Sequence, residues 1–89
     1  MKNRKPLRKK ADISKLDTEK VLAQLGERIK MLRKERGFNS YEHFAYDIEI
    51  SRSGYAKYEV GSDMRVSTLL KIIYGLDLTL NEFFKEGFN

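Results

Sequence analysis

The sequence predicts an all-α fold, a compact five-helix bundle. Apolar residues recur three and four positions apart in successive segments, and no segment of useful length alternates with the period of two that a strand requires. Capping residues such as Ser and Thr stand before these segments, and glycines follow several of them. A chain of 89 residues is long enough for one domain with a modest core. We therefore expect residues 18–89 to form a single domain.

The first predicted helix has apolar residues at spacings of three, four and three, which is typical of an amphipathic helix. Ser14 or Thr18 could cap its start, and Gly37 is expected to end it. Its opposite face is basic, and we interpret that face as a solvated surface, with phosphate contacts as the alternative. The apolar stripe consists of Leu22, Leu25, Ile29 and Leu32, and the basic face of Arg28, Lys30, Arg33, Lys34 and Arg36.

The second predicted helix is short, and Asn39 and Ser40 form its cap signal. Residues 49–50 then make a tight connection to the next cap, Ser51. Two short helices joined in this way match a helix-turn-helix unit. The apolar side of the second helix consists of Phe44, Ala45 and Ile48.

The third predicted helix, capped by Ser51, has two different faces. Tyr55 and Tyr58 are three residues apart, and we interpret them as core residues rather than as base-stacking residues of a single-strand binder. At about 100° per residue, the opposite side is small, polar and cationic. Such a side can enter the DNA major groove, where Arg and Lys reach guanine edges and Ser can serve several bases. The outward residues are Ser53, Ala56 and Lys57, and Arg52 flanks them at the exposed first turn.

Two further helices are predicted after Gly61. An apolar stripe of the fourth helix is expected to face the core. Thr79 and Glu82 form a capping box at the start of the fifth helix, before an aromatic pair. The stripe of the fourth helix consists of Val66, Leu69, Leu70 and Ile73, and the aromatic pair is Phe83 and Phe84.

The basic charge is concentrated at the N-terminus. Residues 1–10 carry six of the 18 Lys and Arg side chains, which leaves 12 against all 13 acidic side chains in the other 79 residues. We therefore interpret residues 1–17 as a basic flexible arm, which is either a solvated terminus or a segment that contacts phosphates. Since the body is nearly neutral, nucleic-acid binding there requires a local cationic surface.

Composition argues against several classes of protein. Because the chain has no Cys and one His, we expect no disulfide, metal site or cofactor. The basic N-terminus lacks a following apolar run, so we expect neither a secretory signal nor a membrane span, and a cytoplasmic protein. The acidic residues are scattered, and no segment resembles a nucleophile with its base or a glycine-rich phosphate loop. We therefore do not expect an enzyme.

From Glu27 to about Phe84, the order of these segments resembles the Cro/C1-type helix-turn-helix family of bacterial and phage regulators, also called the XRE family. The segments that carry the resemblance are GERIKMLRKERG, EHFAYDIEIS, SRSGYAKYEVG and VSTLLKIIYGLDLTLNEFF, with the spacing of Ala45, Ser51, Tyr58, Glu59 and Gly61. The resemblance implies a lambda-repressor-like bundle that binds double-stranded DNA as a transcriptional regulator, most simply a dimeric repressor on a near-palindromic operator. The alternative is an antitoxin-like or scaffold module that binds a partner protein.

The resemblance also implies which residues contact DNA. Tyr41 stands where the family commonly has a phosphate-binding Gln, and Arg65 stands where it often has a Ser or Thr cap. A guanidinium at the latter position can hold a phosphate. The C-terminal apolar residues are expected to form a homodimer surface, with core closure as the alternative. The predicted DNA contacts are Ser40, Tyr41, Ser51, Arg52, Ser53, Lys57 and Arg65, and the predicted dimer surface is Leu80, Phe83, Phe84 and Phe88.

Two positions depart from common helix patterns. Gly54 lies inside the third helix, where glycine costs up to about 1 kcal/mol relative to alanine. Either its missing side chain lets the backbone approach DNA closely, or a well-packed helix tolerates it. Asp77 stands where the family often has glycine, and aspartate is compatible with a left-handed helix end.

Overall fold

The computed structural model describes residues 10–89. A short 3-10 helix, Ile13–Lys15, precedes five α-helices. These are α1 (Thr18–Glu35), α2 (Tyr41–Asp47), α3 (Arg52–Glu59), α4 (Val66–Gly75) and α5 (Leu80–Phe84). The predicted all-α fold is therefore confirmed for the described residues. Most of the basic arm lies outside them, and its boundary at residue 17 stays a prediction. No helix within residues 10–89 is long and apolar enough to cross a lipid bilayer.

The helices begin at residues that satisfy their free N–H groups. Ser40, Ser51 and Thr79 each accept a hydrogen bond from a backbone N–H in the first turn, as predicted. The cap of α1 is Asp17, which accepts from Lys20 N at 3.1 Å, so the prediction of Ser14 or Thr18 was wrong. A carboxylate at this position also interacts favourably with the helix dipole. Arg65 makes no side-chain cap bond for α4.

Helices α1 to α4 all end with one residue in the left-handed conformation. At the end of α2, for example, Ile50 N donates to Ala45 O at 2.9 Å, which is the backbone pattern of a Schellman motif. The left-handed residue is glycine after α1 and α3, whereas Asp77 has this role after α4, as its sequence position suggested. Glu49, with φ of 61°, has it after α2 and sets the turn between α2 and α3. The left-handed residues are Gly37, Glu49, Gly61 and Asp77.

The core lies where all five helices meet. Phe44 and Ala45 are fully buried and Ile48 nearly so, as predicted for α2. In α4 the prediction was partly wrong, because Val66 and Leu70 are 71% and 44% exposed. The buried residues of this helix are Ile72 and Ile73, and Leu69 is half-buried, so Ile73 and Leu69 of the predicted stripe face the core. The largest fully buried side chains are Tyr55, Phe44, Phe83, Ile29, Ile72 and Leu76.

Two arginines of α1 that we expected to be solvated are buried. Arg28 donates from Nε to the backbone carbonyl of Phe83 at 2.7 Å and from Nη2 to that of Glu82 at 2.8 Å. It therefore attaches the C-terminal helix α5 to α1. Arg33 is 3% exposed and pairs with Glu59 of α3. The apolar periodicity of α1 identified only the face that contacts the core. Helices α5 and α3 also cover the sides of α1 that carry Arg28 and Arg33.

Candidate DNA-binding interface

The short turn at Glu49 and Ile50 places α3 across α2 with one face exposed. The ring of Tyr55 is fully buried on the inward side, and it packs edge-to-face on Phe44 with ring centroids 5.5 Å apart. Tyr58 is half-buried against the same core. Both tyrosines therefore face inward, as the sequence predicted.

The opposite side of α3 presents three polar side chains to solvent. Arg52, Ser53 and Lys57 are all exposed, and Ala56 beside them is half-buried and small. Within residues 10–89 none of the three polar side chains donates a hydrogen bond to another described residue. Two cations and a hydroxyl are therefore available to an external partner, and the positive end of the α3 dipole lies beside Arg52.

The start of α2 lies beside the start of α3. Ser40, Ser51 and Arg52 line one open groove of about 550 Å³, so three residues predicted to contact DNA share a surface. Tyr41 is half-buried, and its ring stacks on Tyr55 with centroids 6.2 Å apart and an interplanar angle of 21°. This stack connects the first residue of α2 to the core of α3.

Arg65 lies beyond the other end of α3. It is exposed and lines an open cavity of about 370 Å³ together with Tyr58, Asp63 and Met64. The predicted DNA contacts thus fall at both ends and along the outward side of one helix. Because Arg, Lys, Ser and Tyr side chains all donate hydrogen bonds, this arrangement is chemically suited to phosphates and base edges.

Sequence reasoning missed three neighbours of the predicted contacts. His43, Tyr46 and Ile50 line the same groove as Arg52, and the ring of Tyr46 is 81% exposed. The signal was the spacing of three between His43 and Tyr46, which places both on one side of α2. The groove also holds Glu42, whose carboxylate accepts a hydrogen bond from the Ser40 hydroxyl at 3.1 Å.

Gly54 is the third residue of α3 and lies beside the helix cap. A Cβ atom built at this position would lie 2.9 Å from the Oγ atom of Ser51. That oxygen accepts the hydrogen bond of Gly54 N at 3.2 Å and caps α3. The equivalent position holds His43 in α2 and Glu82 in α5, each beside a capping hydroxyl, so the cap of α3 does not require glycine.

The chain resembles a known regulatory protein over most of its length. It is 38% identical over 67 residues to the control protein C.MunI of a Mycoplasma species, a match that covers 74% of this chain and 90% of that protein. The chain belongs to the control-protein family. This membership and the all-helical fold support a helix-turn-helix transcriptional regulator. No family model and no solved structure matches this chain.

Proposed function

We propose that this protein binds double-stranded DNA sequence-specifically and represses transcription as a dimer on a near-palindromic operator. The observation that carries the proposal is the outward side of α3, where Arg52, Ser53 and Lys57 are exposed without partners among the described residues. In the major groove, Arg and Lys hydrogen-bond guanine, and Ser bonds several bases. The other proposed contacts bind the phosphate backbone of the DNA and fix the position of α3 along the duplex. These are Ser40, Tyr41, Ser51 and Arg65.

A dimer would supply the second recognition helix. One α3 reads only a few base pairs, whereas two copies about 34 Å apart would read two half-sites. The surface available for a second copy is apolar, since Leu80 and Phe84 are 52% and 45% exposed. Phe83 is fully buried and closes the core, so we remove it from the proposed dimer surface. Phe88 packs beside the ring of Phe84 with centroids 5.3 Å apart and supports it.

A second candidate function is favoured by exposed apolar side chains on α4. Val66 and Tyr74 are 71% and 87% exposed, and the charge of residues 11–89 is close to zero. An antitoxin-like or scaffold module would use such a surface for a partner protein and would bind DNA weakly.

Selection from a random duplex library at moderate salt separates the two functions. The regulator is expected to enrich one short symmetric sequence, and Arg52→Ala is expected to abolish that enrichment. Analytical ultracentrifugation of Phe84→Asp should show a shift from dimer to monomer. If the wild-type chain enriches no sequence, the proposed function is wrong and the protein-binding module is favoured.

A further inference from the structure

A buried ion pair connects the last turn of α3 to α1. Arg33 Nε donates to Oε2 of Glu59 at 2.6 Å, and Arg33 Nη2 donates to Oε1 at 3.1 Å. The Tyr55 hydroxyl donates to the same Oε2, and Arg33 Nη1 donates to the backbone carbonyl of Phe38. The side chains of Arg33 and Glu59 are only 4% and 8% exposed. We refer to Arg33, Tyr55 and Glu59 as the buried charge cluster.

Stability alone is a weak reason for burying these charges. Apolar residues of similar volume often stabilise a protein as well as a buried ion pair does, because desolvation offsets the attraction. The cluster is nevertheless complete, since no buried side-chain nitrogen or oxygen within residues 10–89 lacks a partner. The hydrogen bond from Arg33 to Glu59 raises the pKa of Arg33, and burial raises the pKa of Tyr55. Directional hydrogen bonds of this kind fix one arrangement of the groups.

The cluster and Gly26 hold α3 at two separate points of α1. A Cβ atom at Gly26 would lie 2.6 Å from the backbone oxygens of both Tyr58 and Glu59, so the two helices cross there in close contact. Arg33 lies seven residues further along α1, a distance of about 10 Å. Counting about 100° per residue, Glu59 lies on the flank of the inward face of α3 and on the side of Arg52. A hydrogen bond on that flank resists rotation of α3 about its own axis. Packing of Tyr55 at the centre of the inward face resists the same rotation less strongly.

We propose that the buried charge cluster sets the rotation of α3 and thereby determines how sharply the protein discriminates its operator from other DNA. The cluster residues are positioning residues, since they are buried between α1 and α3 and are not among the proposed contacts. A rotation of about 20° displaces a group about 6 Å from the helix axis by about 2 Å. Base-edge hydrogen bonds require donor–acceptor distances of about 2.7–3.2 Å, whereas attraction to phosphates varies slowly with distance. Loss of the cluster therefore reduces specific binding far more than non-specific binding.

The decisive variant is Arg33→Met with Glu59→Leu, which removes both charges together. The net charge of the protein is unchanged, and no unpaired charge is left in the core. The proposed role of the cluster rests on the proposed function, operator binding. The first measurement is therefore the ratio of operator affinity to affinity for an unrelated duplex at one salt concentration. We expect this ratio to fall at least tenfold, with non-specific affinity within twofold of the wild type. The Tm should fall, because the Tyr55 hydroxyl and the Phe38 carbonyl lose their partners, so binding is compared at a temperature where both proteins are folded.

Two controls make this ratio interpretable. Arg36→Met breaks the exposed Arg36–Asp77 pair, whose atoms are 3.3 Å apart, and is expected to leave the ratio unchanged. Arg33→Lys keeps the charge but loses the bidentate hydrogen bonding to Glu59, so the affinity ratio should fall by an intermediate amount. This variant also serves if the double variant does not fold. A ratio within twofold of the wild type in a folded cluster variant overturns the proposal.

A second measurement does not depend on DNA. Residual dipolar couplings of the free proteins report the orientation of α3 relative to α1, and we expect a change of at least about 10° or increased disorder of α3 in the cluster variant. If the wild type selects no operator, the proposed function fails, while these couplings still decide whether the cluster orients α3. Couplings in the cluster variant equal to those of the wild type would refute the positioning role.

Discussion

The two faces of α3 differ in how completely the protein itself uses them. On the inward face, Tyr55 is fully buried and Glu59 accepts hydrogen bonds from two side chains. On the outward face, Arg52 and Lys57 are exposed and make no side-chain hydrogen bond to another described residue. Stability and recognition thus depend on different residues of one eight-residue helix. Substitutions on the inward face should change unfolding, and at the buried charge cluster they should also change operator discrimination. Those on the outward face should change binding alone.

The largest effect is expected where α1 touches the inward side of α3. Gly26→Ala places a Cβ atom 2.6 Å from two backbone oxygens, which cannot move as a side chain can. We expect a loss of about 3 kcal/mol in the free energy of unfolding, measured by urea denaturation. Gly54→Ala is the matched helical control, because its Cβ atom would meet only a serine hydroxyl, and it should change stability by less than about 1 kcal/mol. Equal losses in both variants would contradict the close crossing.

Tyr55→Phe removes the hydroxyl that donates to Glu59 and should cost about 2 kcal/mol at neutral pH, because hydrogen bonds to charged groups are strong. Burial, and then the bond to Glu59, raises the pKa of Tyr55 above its ordinary value near 10. A raised pKa stabilises the fold fully below about pH 10, and this contribution is lost as the pH rises further.

Unfolding curves between about pH 9.5 and 11 test this assignment. The wild type should lose stability with rising pH more steeply than Tyr55→Phe, by up to about 1.4 kcal/mol per pH unit. Tyr74→Phe is the control, since Tyr74 is 87% exposed and its variant should keep the wild-type slope. A Tyr55→Phe variant with the same slope as the wild type would show that Tyr55 ionises normally.

On the outward face, Lys57→Ala should weaken binding to the selected duplex by about 1.5 kcal/mol, or roughly tenfold, because one base or phosphate contact is lost. The unfolding free energy should stay within about 0.5 kcal/mol of the wild type, since Lys57 is exposed. Fluorescence anisotropy measures the first quantity and urea denaturation the second. Lys34→Ala, an exposed lysine near the end of α1, is the charge-matched control and should bind like the wild type.

The smallest effect is expected at the turn before α3. Glu49 adopts φ of 61°, which disfavours residues with a Cβ atom, so Glu49→Gly should raise stability by about 0.5 kcal/mol. Asp77→Gly should gain less, because aspartate tolerates this conformation better and Asp77 pairs with Arg36. Urea midpoints of the two variants give the comparison, and a destabilised Glu49→Gly variant would contradict the strain.

The sequence predicted the features of the fold that depend only on residues close together in the chain. Ser40, Ser51 and Thr79 cap helices because their side chains reach N–H groups three residues ahead, and the sequence displays that spacing directly. The burial of Arg28 and Arg33 was not predictable in this way, because their partners Phe83 and Glu59 are 55 and 26 residues away.

In the candidate site, too, local features were predictable and features that depend on distant residues were not. The inward and outward sides of α3 follow from helical periodicity, and the structure places Tyr55 and Lys57 accordingly. Glu49 gave no sign of its left-handed conformation, since glycine usually has that role. The grouping of Ser40 with Tyr46 and Arg52 depends on the turn between α2 and α3, so sequence spacing alone could not show it.

The most direct test of the central claim is an NMR titration of the ¹⁵N-labelled protein with the selected duplex. If the outward side of α3 reads DNA, the largest amide shift changes should occur at residues 51–57, with smaller changes at Tyr41 and Arg65. The exposed sides of α1 and α5 should change little. Shift changes that are largest on α4 or α5 and absent from residues 51–57 would contradict the account.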